Sequence, residues 1–316
     1  MYDRLYKGHA LTKKSETDRF GVTEKTIQRD FDSIRNFLET NKINQYFEYD
    51  HKQRVYRLVT DNELFLRNEE ILAIVKILIE SRAFPKTEMD ALIEKLTDLA
   101  QPANQDFIKK IMLNEKHLYV DLQHQQPLFG LLWELAQAIH TKQLINIRYK
   151  KEADQEASER TLKPVGLIFS DYYFYLIAFQ TTRELSFPTT YRVDRIVTCN
   201  VTDEHFEAPY SDRFQEGEFR KRIQFMHAGE LMTIKFRFTG TSPQAVLDRL
   251  PTARILTTGE NGIVFEAEVF GRGIKMWLLS QGEHVEVLGP PELQEEMRRS
   301  VMEMMGRYVK LGESKD

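Results

Sequence analysis

Apolar residues recur every three or four positions early in the chain and every second position later, and this change of period divides the sequence. In residues 20–38, FGVTEKTIQRDFDSIRNFL, the residues Ile27, Phe31, Ile34 and Leu38 are spaced by four, three and four. That spacing predicts a helix with one narrow apolar stripe. Gly21 ends the preceding element, and Thr23 is a natural N-cap. Lys25 and Arg29 then fall nearly opposite the stripe, with Thr26 and Gln28 on its flanks. A helix-like segment, LTKKSETDRF, comes before it, and a short one, YDRLYKGH, comes before that. Residues 46–59 change period and read as two short strands, YFEY and RVYRLV, around the polar turn DHKQ. Helix, turn, helix, hairpin is the order of a winged helix, so residues 1–60 are expected to form a DNA-binding domain.

Residues 61–141 are helical in pattern, with runs such as EEILAIVKILIESRAF and MDALIEKLTDLA, and Pro85, Pro102 and Pro127 mark helix starts. This stretch is expected to be a helical connector, which spaces the domains or also joins two copies. From Leu144 the period becomes two: Ile145, Ile147 and Tyr149 fall on one side, Asn146, Arg148 and Lys150 on the other. After a polar loop at 151–160 come KPVGLIF, the turn pair Ser170-Asp171, YYFYLIAF and TTYRVDRIVTCNV. Residues 142–210 are therefore expected to form a small antiparallel barrel or strongly bent sheet. Residues 228–312 read strand, helix opened by Ser242-Pro243, two strands joined at Asn261-Gly262, helix and strand, then a closing amphipathic helix after Pro290-Pro291. That is the ferredoxin-like order. The expected fold class is α+β and multidomain: a winged helix, a helical connector, a small β-barrel-like (Sm/SH3-like) domain and a ferredoxin-like C-terminal extension.

Composition narrows the function classes. The 316 residues are 41% hydrophobic and 29% charged, which is ordinary for a soluble protein with room for two or three domains. The net charge of -4 is unevenly spread: residues 1–60 carry 12 Lys+Arg against 9 Asp+Glu, so the excess of acid lies beyond them. A mildly basic end on an acidic body suits a DNA-binding domain attached to one that does not touch DNA. Met1 is followed by charged residues rather than an apolar leader, and the longest apolar run, near Tyr172 to Phe179, is far short of the roughly 20 residues of a membrane helix. A single cysteine, Cys199, excludes an intramolecular disulfide and fits a reducing cytoplasm. Nucleotide-binding P-loops, zinc-protease pairs and nucleophile elbows are all missing. His117 and His124 lack a third ligand. The expectation is a binding protein rather than an enzyme, with no metal and no cofactor.

Two resemblances extend this reading. FGVTEKTIQRDFDSIR resembles the recognition region of DeoR-type winged-helix regulators, and residues 46–59, ending in YRL, are similar to the wing. Pro164-Val-Gly166-Leu, Phe174-Tyr175-Leu176 and Tyr191-Arg-Val-Asp-Arg195-Ile196 resemble the WYL domain, with Phe174 in place of the eponymous Trp. The remainder, to about residue 310, resembles the C-terminal extension (WCX) often attached to WYL domains. In the winged-helix relatives a Leu-Ala pair sits on the helix before the recognition helix, where Glu16 and Thr17 stand here. With the short first helix, this implies a less well-packed scaffold, or a chain that begins upstream of Met1.

The first resemblance implies that the helix opened by Thr23 enters the major groove of double-stranded operator DNA. Lys25, Thr26, Gln28 and Arg29 would make base or phosphate contacts, while Lys52, Arg54 and His51 track the backbone from the wing. Two-fold DNA sites imply a homodimer. The second resemblance implies an effector, single-stranded nucleic acid or a nucleotide-like species, held by Tyr149, Ser170, Tyr173, Tyr175, Arg192 and Arg195. Arg192 and Arg195 do not share a face of a regular strand, so one of them is expected to be structural, with Arg195 paired to Asp194 or Asp171. The competing readings are a DeoR-like sensor of a phosphorylated sugar or other metabolite, and an accessory nucleic-acid-binding protein of a defence system.

Overall fold

The computed structural model describes the chain apart from residues 42–44, 61–65, 101, 183–186, 208–213 and 313–316. The expected domain boundaries at 61 and 210 lie outside the described residues. The protein is a mixed α and β chain with several helices and antiparallel sheets, and it separates into two compact units, Met1–Gln126 and Pro127–Asp316.

The first unit opens with α1 (Tyr2–Tyr6), α2 (Lys13–Phe20) and α3 (Glu24–Thr40), followed by the hairpin β1 (Gln45–Asp50) and β2 (Val55–Thr60). The α3 stripe does what its spacing requires: Ile27, Phe31 and Leu38 are buried beside Leu5, Leu11 and Phe47, with Ile34 packed against them. Phe31, Phe47 and Tyr56 form a ring cluster with centroids 4.5–5.2 Å apart, which fixes the hairpin under α3. Leu11 exchanges both backbone hydrogen bonds with Tyr56 and ties the chain before α2 to the same hairpin. The hairpin turn differs from the expected DHKQ. Asp50 belongs to β1, and Arg54 closes the turn at φ 58°, its N–H donating to the Asp50 carbonyl at 2.7 Å. A left-handed residue cannot continue a strand, so β2 starts one residue later than the pattern indicates. Helices α4 (Asn68–Ser81), α5 (Lys86–Asp98) and α6 (Pro102–His117) follow, burying Ile71, Val75, Met89, Ile93, Ile108 and Met112.

In the second unit, α7 (Phe129–Thr141) packs on the sheet that follows it, whereas the sequence pattern groups it with the connector. That sheet contains β3 (Gln143–Tyr149), β4 (Ser158–Ser170), β5 (Tyr173–Gln180), β6 (Thr189–Arg192) and β7 (Ile196–His205), in the order β6-β5-β4-β3-β7. A single 3-10 turn, Val193–Arg195, carries the chain from one edge of the sheet to the other. The β4–β5 turn consists of Asp171 and Tyr172, at φ 44° and 78°, not of Ser170-Asp171. Two successive positive φ values are what a tight hairpin turn needs, and Ser170 instead pairs with Tyr173. Gly166 sits at a bulge in β4, where a Cβ would run into the Glu216 side chain. In that space the Glu216 carboxylate accepts the Leu167 N–H at 2.7 Å. Glu216 begins α8 (Glu216–Arg222), whose Phe219 packs with Ile223 and Met226 against Ile168 and Ile177 of the sheet.

The C-terminal part runs β8 (Leu231–Phe238), α9 (Pro243–Arg249), β9 (Arg254–Gly259), β10 (Gly262–Phe270), α10 (Gly273–Ser280) and β11 (Val285–Gly289), with sheet order β11-β8-β10-β9. Ser242 stands at the N-cap position of α9 but its side chain makes no capping bond. The β9–β10 turn is Glu260-Asn261, and Gly262 follows it at φ 103° as the first residue of β10. Phe236, Phe265 and Trp277 fill the core between sheet and helices. The chain ends in α11 (Pro291–Gly312), anchored by buried Leu293 and by Met297.

Candidate functional site

Two groups of predicted site residues occupy the two units. In the first unit, Thr23 caps α3, its Oγ1 accepting the Thr26 N–H at 3.4 Å. The Thr26 hydroxyl lies 3.1 Å from the same oxygen. Gln28 donates to the Asp32 carboxylate at 3.0 Å, and Arg35 donates to it as well. Thr26 and Gln28 are thus half-buried and engaged along the helix. Lys25 and Arg29 are exposed one turn apart, and neither has an ion-pair partner among the described residues. The helix therefore presents two uncompensated cations beside its positive N-terminal end. In the hairpin turn Lys52, Arg54 and His51 are all exposed. The Asp50 carboxylate accepts the N–H groups of Lys52 and Gln53 at 2.8 and 3.0 Å, and the Gln53 bond does most to hold its pKa below the ordinary range. A charged Asp50 thus braces the loop that carries Lys52 and Arg54.

In the second unit, β5 and β6 bring Tyr173, Tyr175 and Arg192 together. Tyr175 and Arg192 are cross-strand partners, and the Arg192 guanidinium lies 3.3 Å from the centre of the Tyr173 ring. Tyr173 and Tyr175 meet edge to face at 6.5 Å. Arg192 is also clamped by Asp194, with Nε to Oδ1 at 3.1 Å and Nη2 to Oδ2 at 2.7 Å. Burial opposes the Arg192 charge, but Asp194, itself almost wholly buried, outweighs it and holds the pKa above the ordinary value. Desolvation raises the Tyr175 pKa, so this ring presents a neutral hydroxyl.

The remaining predicted residues have different surroundings. Tyr149 is 5% exposed, and its hydroxyl accepts the Arg192 backbone N–H at 3.2 Å, so it supports Arg192 from beneath. Ser170 donates to Asp171 at 3.0 Å. The expected pairing of Arg195 with Asp194 or Asp171 is not what the structure has. Asp194 belongs to Arg192, because the 3-10 turn folds it back by two residues, and Arg195 reaches Glu152 at 2.9 Å. The sequence reading offers Asp194 only as a partner for Arg195; the structure makes it the clamp of Arg192, two residues before it.

With this geometry in place, family models identify two stretches: the WYL domain over residues 130–201 and the WCX domain over residues 230–305. The chain carries a WYL domain and a WCX domain. The WYL match begins inside α7 and closes within β7. No curated protein matches the chain. Among solved structures it is similar to one described as proteasome accessory factor B/C (PafBC) of Arthrobacter aurescens, at 16% identity and TM-score 0.33, over 91% of this chain and 44% of that one. It is also similar to one described as a CRISPR Cas-related protein, at 16% identity and TM-score 0.40, over 77% of this chain and 73% of that one. The chain thus spans less than half the length of the first of these. No described helix is long and apolar enough to cross a membrane, and no described group of His, Cys, Asp and Glu could hold a metal ion.

Proposed function

We propose that the chain is a cytoplasmic, homodimeric transcription regulator. It binds operator DNA through a DeoR-type winged helix, α3 with the β1–β2 wing, and is controlled by an effector held on the WYL domain. The observation that carries this reading is the α3 face: Lys25 and Arg29 exposed without described ion-pair partners, on a helix whose opposite stripe is buried. The WYL and WCX domains behind it support the effector-controlled half. Lys52 and Arg54 are placed at the tip of a braced hairpin, as a backbone-tracking wing requires.

A gel-shift series across salt concentrations tests the DNA half. Arg29→Ala is expected to cost about 1–3 kcal/mol of binding if Arg29 reads a guanine, or to reduce the salt slope by about one if it binds phosphate. Neither change would remove Arg29 from the interface. For the effector half, the cluster of Tyr173, Tyr175 and Arg192 offers aromatic surface for a base and, for a phosphate oxygen, the Arg192 nitrogen that Asp194 does not hold. A short single-stranded oligonucleotide is expected to raise the melting temperature of the full chain, since a ligand that binds only the native state stabilises it. Arg192→Ala is expected to abolish that rise while leaving operator binding intact. An unchanged rise would move the effector site elsewhere.

A further inference from the structure

Between α8 and β8 the chain makes a turn in which Phe225 and Met226, neither of them glycine, adopt φ 48° and 53° in succession. Bulky residues enter this left-handed region at a cost and stay there only where their surroundings hold them. The two side chains go to different cores. Phe225 packs against the WCX core of Phe236, Phe265 and Trp277. Met226 is buried on the WYL sheet with Ile168, Ile177, Phe219 and Ile223. Tyr175 packs against that same cluster, and Tyr175 is the cross-strand partner of Arg192.

The backbone of the turn is pinned from both sides. From the WYL side, the Thr190 hydroxyl, two residues before Arg192, donates to the Met226 carbonyl at 2.7 Å. From the WCX side, the turn rests on the corner between β10 and α10. A Cβ at Gly273 would come within 1.8 Å of the Gln224 carbonyl oxygen, and one at Gly271 within 2.3 Å of that of His227. The His227 N–H donates to the Gln224 carbonyl at 3.2 Å and closes the turn. Beyond it, the guanidinium of Arg249, the last residue of α9, lies 5.1 Å from the centre of the Phe225 ring. Its Nε is buried with no hydrogen-bond partner, so a shift of that ring leaves Arg249 uncompensated. Packed cores move between discrete arrangements rather than deform, and here two of them are joined through adjacent residues of one strained turn.

We propose that the Phe225–Met226 turn couples the Tyr175 and Arg192 cluster to the WCX domain, so that a ligand on that cluster is felt in α9 and α10 through Met226 and Phe225. The ligand comes from the effector reading above, whereas the coupling is measurable without one.

Hydrogen exchange on the full chain tests it. Arg192→Ala is expected to change exchange of the α9 and α10 amides about fivefold or more, an ordinary size for coupling between sites. In a Met226→Ala background, which empties the WYL side of the turn, the effect of Arg192→Ala is expected to stay within the WYL sheet. Thr190→Val, which removes the hydrogen bond to the turn, is expected to reduce the spread in the same direction and decides the matter if Met226→Ala does not fold. The proposal is overturned if Arg192→Ala leaves α9 and α10 unchanged. It is also overturned if the effect reaches them undiminished in the second background, as a general loss of stability would make it do. A short single-stranded oligonucleotide is expected to slow the same amides in the wild-type chain, and binding without that change overturns the coupling. An oligonucleotide that does not bind overturns the effector reading alone, and the Arg192→Ala comparison still decides the coupling.

Discussion

Glu16 is a charged residue inside the core that α1, α2 and α3 share. It is fully buried and forms an ion pair with Arg4 of α1. The pair ties the short first helix to α2, a job that an apolar contact would otherwise do. The tie has a cost, because the second Glu16 oxygen is buried without a partner and buried ion pairs rarely gain net stability. The packing under α3 comes from Leu5, Leu11, Ile27 and Phe31, and the ion pair adds a specific α1–α2 contact to it. Cys199 makes the opposite case, a chemically reactive residue kept inert by its surroundings. Burial, with the Glu134 carboxylate adding to it, pushes its thiol from an ordinary value of 9.0 up to about 12. The thiol is expected to resist alkylation in the native chain at neutral pH and to react once the chain is unfolded, followed by mass spectrometry. The pH dependence has a definite sign. Above the unfolded value the unfolded chain loses this proton while the folded chain keeps it, so stability falls as pH rises from 9.0 toward about 12. Cys199→Ser is expected to reduce that fall in denaturation curves taken across this range.

Among the elements, α3 was the most legible in the sequence, because its cap, its stripe and its polar face are all local. Thr23→Ala is expected to cost about 1 kcal/mol of stability, the usual worth of such a cap, with operator affinity falling in parallel. Chemical denaturation and gel shift on the same variant check this, and an unchanged denaturation midpoint would mean that the 3.4 Å bond contributes nothing. The turns were legible only to within a residue. Arg54, Asp171 and Tyr172 adopt positive φ without being glycine, so the sequence marked each turn but not the residues that make it. The Tyr173, Tyr175 and Arg192 cluster was partly legible. Strand alternation put Tyr173 with Tyr175, but a 3-10 turn, not a strand, decides which carboxylate Arg192 meets. Asn146 and Arg148 read as the solvated side of an alternating strand, and only the register of three strands sets Thr161, Thr198 and Asn200 beside them.

For the whole molecule, α11 bears on the proposed dimer. Its first turns are fixed to the WCX domain by Leu293, by Met297 and by Gln294, which donates to the Val287 carbonyl at 3.0 Å. Residues 301–309 are exposed on every face and include Val301, Met302, Met304, Met305, Tyr308 and Val309. A helical stretch this short is marginal in water by itself, and a concentration of large apolar side chains on it needs covering. A second copy of the chain supplies an identical stretch. Two such helices packed together would bury on the order of 1,000 Å², about the least that a specific interface needs. A regulator that binds a two-fold operator needs this association. Met305→Glu combined with Tyr308→Glu is expected to turn the dimer into a monomer in sedimentation equilibrium. The folded chain should persist, because neither residue reaches the WCX core. Binding to a full operator is then expected to fall much further than binding to a single half-site. A variant that stays dimeric would place the interface elsewhere and leave the exposed face of α11 to another partner.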